Sequence, residues 1–244
     1  MKLLHLYPNL MNMYGDYANI LALKKHLEDQ GLTVEVDYKD INEDIDFSLY
    51  DFIYMGSGTE SKELIALNDI IKYKDELNNL VNSNKVILFT GNASELLGKS
   101  IDDNLALDIF DFKTQHIDKR FTGDVIVYND EIGELVGFVN KSSIVSGDKE
   151  HKLFKYIFKD NNLNDEEYEG YIKNNTFATE LIGPILLKNP NFMKYIVKKL
   201  LPSDFNYIDK EYKYELASYN VTLNALKERI KWVVLYFNLN GKLN

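Results

Sequence analysis

The chain has 244 residues, 45% hydrophobic and 27% charged, enough for one large domain or a domain with an appendage, burying roughly 70–75% of its unfolded surface without a covalent staple. Its net charge of −10 argues against a nucleic-acid partner, which needs clustered cations; Lys24-Lys25-His26 and Lys198-Lys199 are short groups that read as solvated helix faces. It contains no cysteine, which excludes disulfides, thiolate metal sites and a cysteine nucleophile together.

The first two-thirds alternates strand, turn and helix. Lys2–Tyr7 is a short apolar run that predicts a buried strand. From Asp16 to Gln30, apolar residues recur at Ile20, Leu21, Leu23 and Leu27, near the period of an amphipathic helix, and Gly31 stands where a C-cap glycine belongs. Leu32–Tyr38 alternates Val34, Val36 and Tyr38 with polar neighbours, as a strand does. Asp51–Met55 is a third apolar run, stopped by Gly56-Ser57-Gly58. Ser61–Asn82 predicts one long helix, with Leu64, Leu67, Ile70, Ile71, Leu77 and Leu80 on one side. Val86–Phe89 is uninterrupted and apolar, as in a parallel strand covered on both faces, and after Thr90-Gly91-Asn92 another helix is expected over Ala93–Leu97. Strands joined by crossover helices predict an α/β fold with a parallel sheet.

Beyond residue 105 short β-like runs replace this rhythm, at Leu105–Phe112, Gly123–Tyr128, Leu135–Asn140 and Thr176–Ile182. Asp160–Glu169 reads as an acidic surface loop. Helical patterns return at Phe192–Leu201 and Asp209–Tyr236. Trp232, Val233, Val234, Leu235 and Phe237 make the last one apolar enough to need a covering surface, on the domain itself or another subunit. No apolar run approaches the ~20 residues of a membrane span. The opening Met1–Asp16, broken by His5, Pro8, Asn9 and Asn12, lacks a signal-peptide core, so a cytoplasmic location is the expectation.

In open α/β sheets functional groups gather beyond the carboxyl ends of the strands. Two such ends stand out, Gly56-Ser57-Gly58-Thr59-Glu60 and Thr90-Gly91-Asn92-Ala93-Ser94, where backbone N–H groups and a helix N-terminus can converge on an anion. Plain tight turns account for the same glycines. Neither is a P-loop, since no Gly-Lys-Ser/Thr follows, and the third glycine of a dinucleotide fingerprint is missing. His5 falls on the buried first strand and His26 on a helix face, while His116 and His151 fall in loops or at strand ends. No His/Asp/Glu grouping has ligand spacing along the chain, so no metal and no cofactor are expected. Asp102-Asp103 and Glu166-Glu167 read as solvated turns rather than catalytic carboxylates.

The segment from Leu6 to Asp16 (Tyr7-Pro8-Asn9-Leu10 through Met13-Tyr14-Gly15-Asp16), followed by Asn19-Ile20-Leu21-Ala22-Leu23, is the first of five that carry a family likeness in order. The others are Gly56–Glu60, Gly91–Gly98, Gly137-Phe138-Val139-Asn140-Lys141, and Thr179-Glu180-Leu181-Ile182-Gly183-Pro184 with Leu187-Lys188-Asn189-Pro190. Together they resemble the glutamine amidotransferase subunit of lipid II isoglutaminyl synthase, a class I family related to the cobyric acid synthase amidotransferases. Gly56–Glu60 is similar to the family's oxyanion strand, Gly-Gly-Gly-Gln-Asp, and Gly91–Gly98 to its nucleophile elbow, Cys-Gly-Gly-Tyr-Gln-Leu-Leu-Gly. The last two segments resemble Gly-Phe-Glu-Asn-His and Thr-Tyr-Leu-His-Gly-Pro.

The departures are specific. These enzymes attack the glutamine amide with a cysteine thiolate, assisted by a histidine, through an oxyanion held by backbone N–H groups. The nucleophile position is Gly91 here and the histidine position is Ile182. A one-residue slip offers Thr90, with no histidine to serve it. Ser94 does not sit in a Gly-x-Ser-x-Gly elbow. Arg120 resembles a substrate-contacting arginine and could grip a carboxylate, with a surface ion pair to Asp118 or Asp124 as the alternative.

The resemblance implies a flavodoxin-like class I amidotransferase sandwich over residues 1–203, with a mainly parallel central sheet, followed by a C-terminal helical extension over 204–244. It implies a Mur-ligase-like synthetase as partner, amidating the D-glutamate of lipid II. With both catalytic positions lost, the expectation is a pseudoenzyme that scaffolds or regulates that partner. The alternative is a small-molecule binding or sensing module, taking glutamine or a small carboxylate in a vestigial pocket formed by Gly56, Ser57, Gly58, Asn92 and Arg120.

Overall fold

Alternation along three short strands sends side chains into two separate cores. In β1 (Lys2–Leu6), Leu4 and Leu6 join one cluster and Leu3 the other; in β3 (Phe52–Met55), Ile53 and Met55 oppose Phe52 and Tyr54; in β4 (Val86–Thr90), Ile87 and Phe89 oppose Val86 and Leu88. One core is closed by α2 (Glu60–Ile70) and α3 (Lys74–Val81), the other by α1 (Tyr17–Asp29) and α5 (Pro190–Leu200). A sheet covered on both faces needs apolar residues at every position, which is why these runs are uninterrupted. This computed structural model describes the backbone of residues 1–83 and 85–240, and the side chains of those up to Ile230.

The parallel part of the sheet runs β2 (Glu35–Lys39), β1, β3, β4, β11 (Thr176–Thr179). The first four follow the flavodoxin-like order. Beyond β11 the sheet turns antiparallel through β10 (Tyr168–Lys173), β9 (Lys152–Lys159) and β7 (Phe112–Asn129), and β7 also pairs with β8 (Gly133–Gly147). Two short strands, β5 (Ser100–Ile101) and β6 (Asn104–Leu105), complete that edge. A four-residue helix, α4 (Ile185–Lys188), precedes α5.

The last helix, α6 (Lys213–Asn240), lays Tyr219, Leu223 and Leu226 on Ile126 of β7 and Val136 of β8. Its start is held against α1, where His26 stacks on Tyr212 at 3.7 Å and its Nε2 lies 3.1 Å from Glu215. The apolar group from Trp232 to Phe237 lies outside the described side chains.

Several elements differ from the sequence reading. The helix expected over Ser61–Asn82 is broken by a 3-10 turn at Ile71–Tyr73. Gly91–Leu97 is a 3-10 rather than an α-helical segment. Leu105–Phe112 is mostly irregular: Leu107, Ile109 and Phe110 are buried core residues whose N–H groups bond back to Leu96 and Leu97 carbonyls instead of to a neighbouring strand. The runs at Gly123–Tyr128 and Leu135–Asn140 are parts of one long hairpin, whose outer half is hidden by the polar stretch around a register shift between His116 and Phe121. The acidic loop ends before Glu169, which is buried in β10 and accepts hydrogen bonds from Thr179 Oγ1 and the Glu180 N–H.

Candidate functional site

The carboxyl ends of β3, β4 and β11 lie side by side, with Met55 opposite Phe89 and Thr90 opposite Thr179. An isolated bridge between Val139 and Leu181 adds β8 to this edge. All the motif segments beyond the first helix therefore converge on one cleft of about 320 Å³, lined by Tyr14, Ser57, Gly58, Asn92, Arg120 and Ile182 among others. This is the place that open α/β sheets reserve for ligands.

Gly91 sits at the sharp turn leaving β4 with φ +60°, a left-handed conformation that disfavours side chains. A Cβ built there would overlap Ser57 Oγ and lie 3.1 Å from Ile182 Cγ2. The two positions that the family devotes to nucleophile and base are thus neighbours, and neither has a group able to move a proton. The turn keeps its strained form although no nucleophile stands on it.

Several neighbouring polar groups are bonded within the chain, although Ser57 Oγ and Asp16 Oδ1 are buried without a hydrogen-bond partner among the described residues. Gly58 N–H donates to Asn92 Oδ1 at 2.9 Å, and Ser57 N–H donates to the buried Asp16 at 2.6 Å. Burial is the main cause that raises the Asp16 carboxyl to about 6, opposed by its hydrogen bonds from Ser57. Thr90 is hydrogen-bonded to Tyr54 Oη at 3.0 Å, deep in the core, and Ser94 Oγ donates to the Gly91 carbonyl at 2.7 Å. Both hydroxyls are structural.

Arg120 does reach the cleft, lifted there at the register shift in β7. Its partner is neither Asp118 nor Asp124: the guanidinium donates to Glu60 Oε1 at 2.6 Å and to Asn140 Oδ1 at 2.9 Å, while Asp124 pairs with Arg229. The Ser142 hydroxyl, then Glu60's own backbone N–H and Arg120, hold the Glu60 carboxyl down at about 2.

Four further residues come together that the sequence reading did not group. Glu63 of α2, Glu95 of the 3-10 turn and His116 of β7 bring one ligand-capable atom each to within 4.8 Å of one another. Asp102, read as part of a solvated turn, accepts hydrogen bonds from the His116 N–H and Nδ1, both at 2.8 Å. The residues come from four segments, so spacing along the chain carries no trace of them. Burial raises both glutamate carboxyls, and the Glu63 carboxylate, with Asp102, lifts the His116 imidazole to about 9 against its own desolvation. Lys141, which also lines the cleft, forms a buried ion pair with Glu180 at 2.5 Å.

A strained elbow and a glycine-rich strand end, facing each other across the carboxyl edge of a flavodoxin-like sheet, define the glutamine amidotransferase class. The chain belongs to the CobB/CobQ-like glutamine amidotransferase domain family, whose model matches residues 2–190. Among curated relatives it is similar to the GatD subunit of lipid II isoglutaminyl synthase (glutamine-hydrolyzing) from Streptococcus pneumoniae strain R6, 28% identical over 84% of this chain and 82% of that protein. The Staphylococcus aureus strain N315 subunit of the same name is 29% identical, over 80% and 82%. Among solved structures, PurLQS from Thermotoga maritima aligns with a TM-score of 0.56 at 14% identity, covering 82% of this chain and 99% of that one. A structure described as a glutamine amidotransferase aligns with a TM-score of 0.55 at 12% identity, over 81% and 98%. These two likenesses concern the fold.

Proposed function

We propose that this chain is a non-catalytic amidotransferase-like subunit that scaffolds or regulates a Mur-ligase-like synthetase in the amidation of the D-glutamate of lipid II. One observation carries the reading: the space beside the nucleophile position is filled by Ser57 Oγ, while the Gly58 N–H of the oxyanion strand is already bonded to Asn92. Amide hydrolysis by the family's route needs a thiolate to attack, a base to move protons and a free pair of N–H donors to hold the oxyanion, and no rearrangement of one side chain supplies all three. The names of the two curated relatives support the assignment to peptidoglycan amidation, and the family match supports retention of the scaffold.

Purified protein incubated with glutamine is expected to release no ammonia above the buffer blank in a glutamate-dehydrogenase-coupled assay. Release with saturation kinetics would overturn the non-catalytic reading. Affinity capture from the native cell is expected to enrich a Mur-ligase-like protein in stoichiometric amount; its absence from the eluate would overturn the scaffold reading. The sensing alternative is favoured by the cleft, where a ligand carboxylate could take the place of Glu60 as the acceptor for Arg120 and Ser142. It requires that glutamine or a small dicarboxylate raise the melting temperature of the isolated chain.

A further inference from the structure

We propose that Glu63, Glu95 and His116 form a binding site for one divalent transition-metal ion of the Zn²⁺ class, with an open coordination position toward the cleft. Three observations converge on it. First, Glu63 Oε1, Glu95 Oε2 and His116 Nε2 are buried atoms with no hydrogen-bond partner among the described residues, and both glutamate residues are at most 3% exposed. Buried polar atoms in native folds are nearly always paired, so an orphan atom on each of three side chains that bring ligand-capable atoms within 4.8 Å of one another indicates a missing group.

Second, the spacing fits a metal better than a proton. His116 Nε2 lies 3.5 Å from Glu63 and 3.6 Å from Glu95. Those separations are long for a hydrogen bond. Two ligands each bound at ~2.0–2.1 Å with a tetrahedral angle lie about 3.3 Å apart, so a small closure suffices.

Third, each ligand is already oriented. Asp102 accepts from His116 Nδ1 at 2.8 Å, which fixes the tautomer and aims Nε2 at the two carboxylates. Asn92 donates at 3.1 Å to Glu63 Oε2, the oxygen that lies 3.5 Å from His116 Nε2, and Ser143 donates to Glu95 Oε1 at 2.7 Å, leaving Oε2 toward the histidine. Charge agrees in sign: the cluster gathers two buried glutamates while the buried ammonium of Lys141 is committed to Glu180, so a bound cation would favour the carboxylate forms. Mixed imidazole and carboxylate donors suit Zn²⁺ and its first-row neighbours. Glu95 and His116 line the cleft, which leaves room for a water or a ligand atom on the ion.

The test is independent of the glutaminase assay. The full chain, stripped with chelator and dialysed, is titrated with ZnCl₂ by calorimetry and with CoCl₂ by visible absorption. One equivalent is expected to bind, with Co²⁺ giving the d–d bands of a low-coordinate site. His116→Ala and Glu95→Gln are each expected to weaken binding by at least 10-fold, and Asp102→Asn by about 10- to 100-fold. His151→Ala, at a histidine paired with Asp148 elsewhere, is expected to leave binding unchanged. Asp102→Asn, at a partly exposed turn, keeps the test readable if a ligand variant does not fold. Absence of stoichiometric binding, or binding that His116→Ala, Glu95→Gln and Asp102→Asn leave intact, would overturn the site.

Discussion

The Lys141 ammonium and the Glu180 carboxylate meet at 2.5 Å, both more than nine-tenths buried, at two positions where the sequence departs from the amidotransferase motifs. The motifs that these segments resemble carry histidine and tyrosine there, so the two changes answer each other. Removing one partner strands a charge, whereas removing both does not. Lys141→Met is expected to destabilise the fold by ~3–5 kcal/mol in urea melts, and Lys141→Met with Glu180→Leu to recover most of that loss. A double variant as unstable as the single one would contradict the pairing.

Gly91 and Ser57 compete for one volume. Gly91→Ala is expected to cost ~2–4 kcal/mol, combining a left-handed backbone that disfavours a Cβ with overlap on Ser57. Adding Ser57→Gly is expected to return about half of it, leaving the backbone share. The measurement is a double-mutant cycle on equilibrium unfolding, and a coupling energy near zero would refute the shared volume.

Glu169 carries a pH signature. Burial first, and then the Glu180 charge, raise its carboxyl from 4.5 to about 8. The folded state therefore holds the proton more tightly than the unfolded chain. Its contribution is fully present below pH 4.5 and is lost as pH rises toward 8. Melting temperatures of wild type and Glu169→Gln, taken across that range, are expected to diverge with pH, the variant showing the flatter curve. Parallel curves would place the group's folded-state titration elsewhere.

His5 acts in the opposite sense. It is fully buried between Tyr38 and Tyr54 and burial lowers its imidazole from 6.5 to about 4. The folded state keeps it neutral, so its contribution is present above pH 6.5 and is lost as pH falls toward 4. His5→Phe, which keeps the ring and drops two buried nitrogens without partners, is expected to raise the acid stability limit in pH-jump unfolding. An unchanged midpoint would count against this account.

The parallel half of the fold was legible because burial on both faces leaves a plain mark: Phe52–Met55 and Val86–Phe89 admit no charged side chain and no polar group except the Tyr54 hydroxyl. The antiparallel half was not, since β7 crosses from core to solvent and back, and the polar stretch from His116 to Arg120 cuts its alternation. Ala106–Phe110 misled for the converse reason, being apolar core without strand pairing. Gly91 and Ile182, singled out from motif order, do lie side by side in the fold. Glu63, Glu95, Asp102 and His116 could not be grouped in that way, because only the fold brings their segments together, and Glu169 gave no compositional sign that it leaves an acidic loop for the core.

The bond from Gly58 N–H to Asn92, set beside Ser57, bears on descent. A lineage that regained cysteine at position 91 alone would meet a filled volume, an occupied N–H and an isoleucine in place of its base. Each reverse step is harmful or idle until the others are made. On the non-catalytic reading proposed above, the route back to glutamine hydrolysis would run through intermediates that selection has no reason to keep, and the loss would behave as a ratchet.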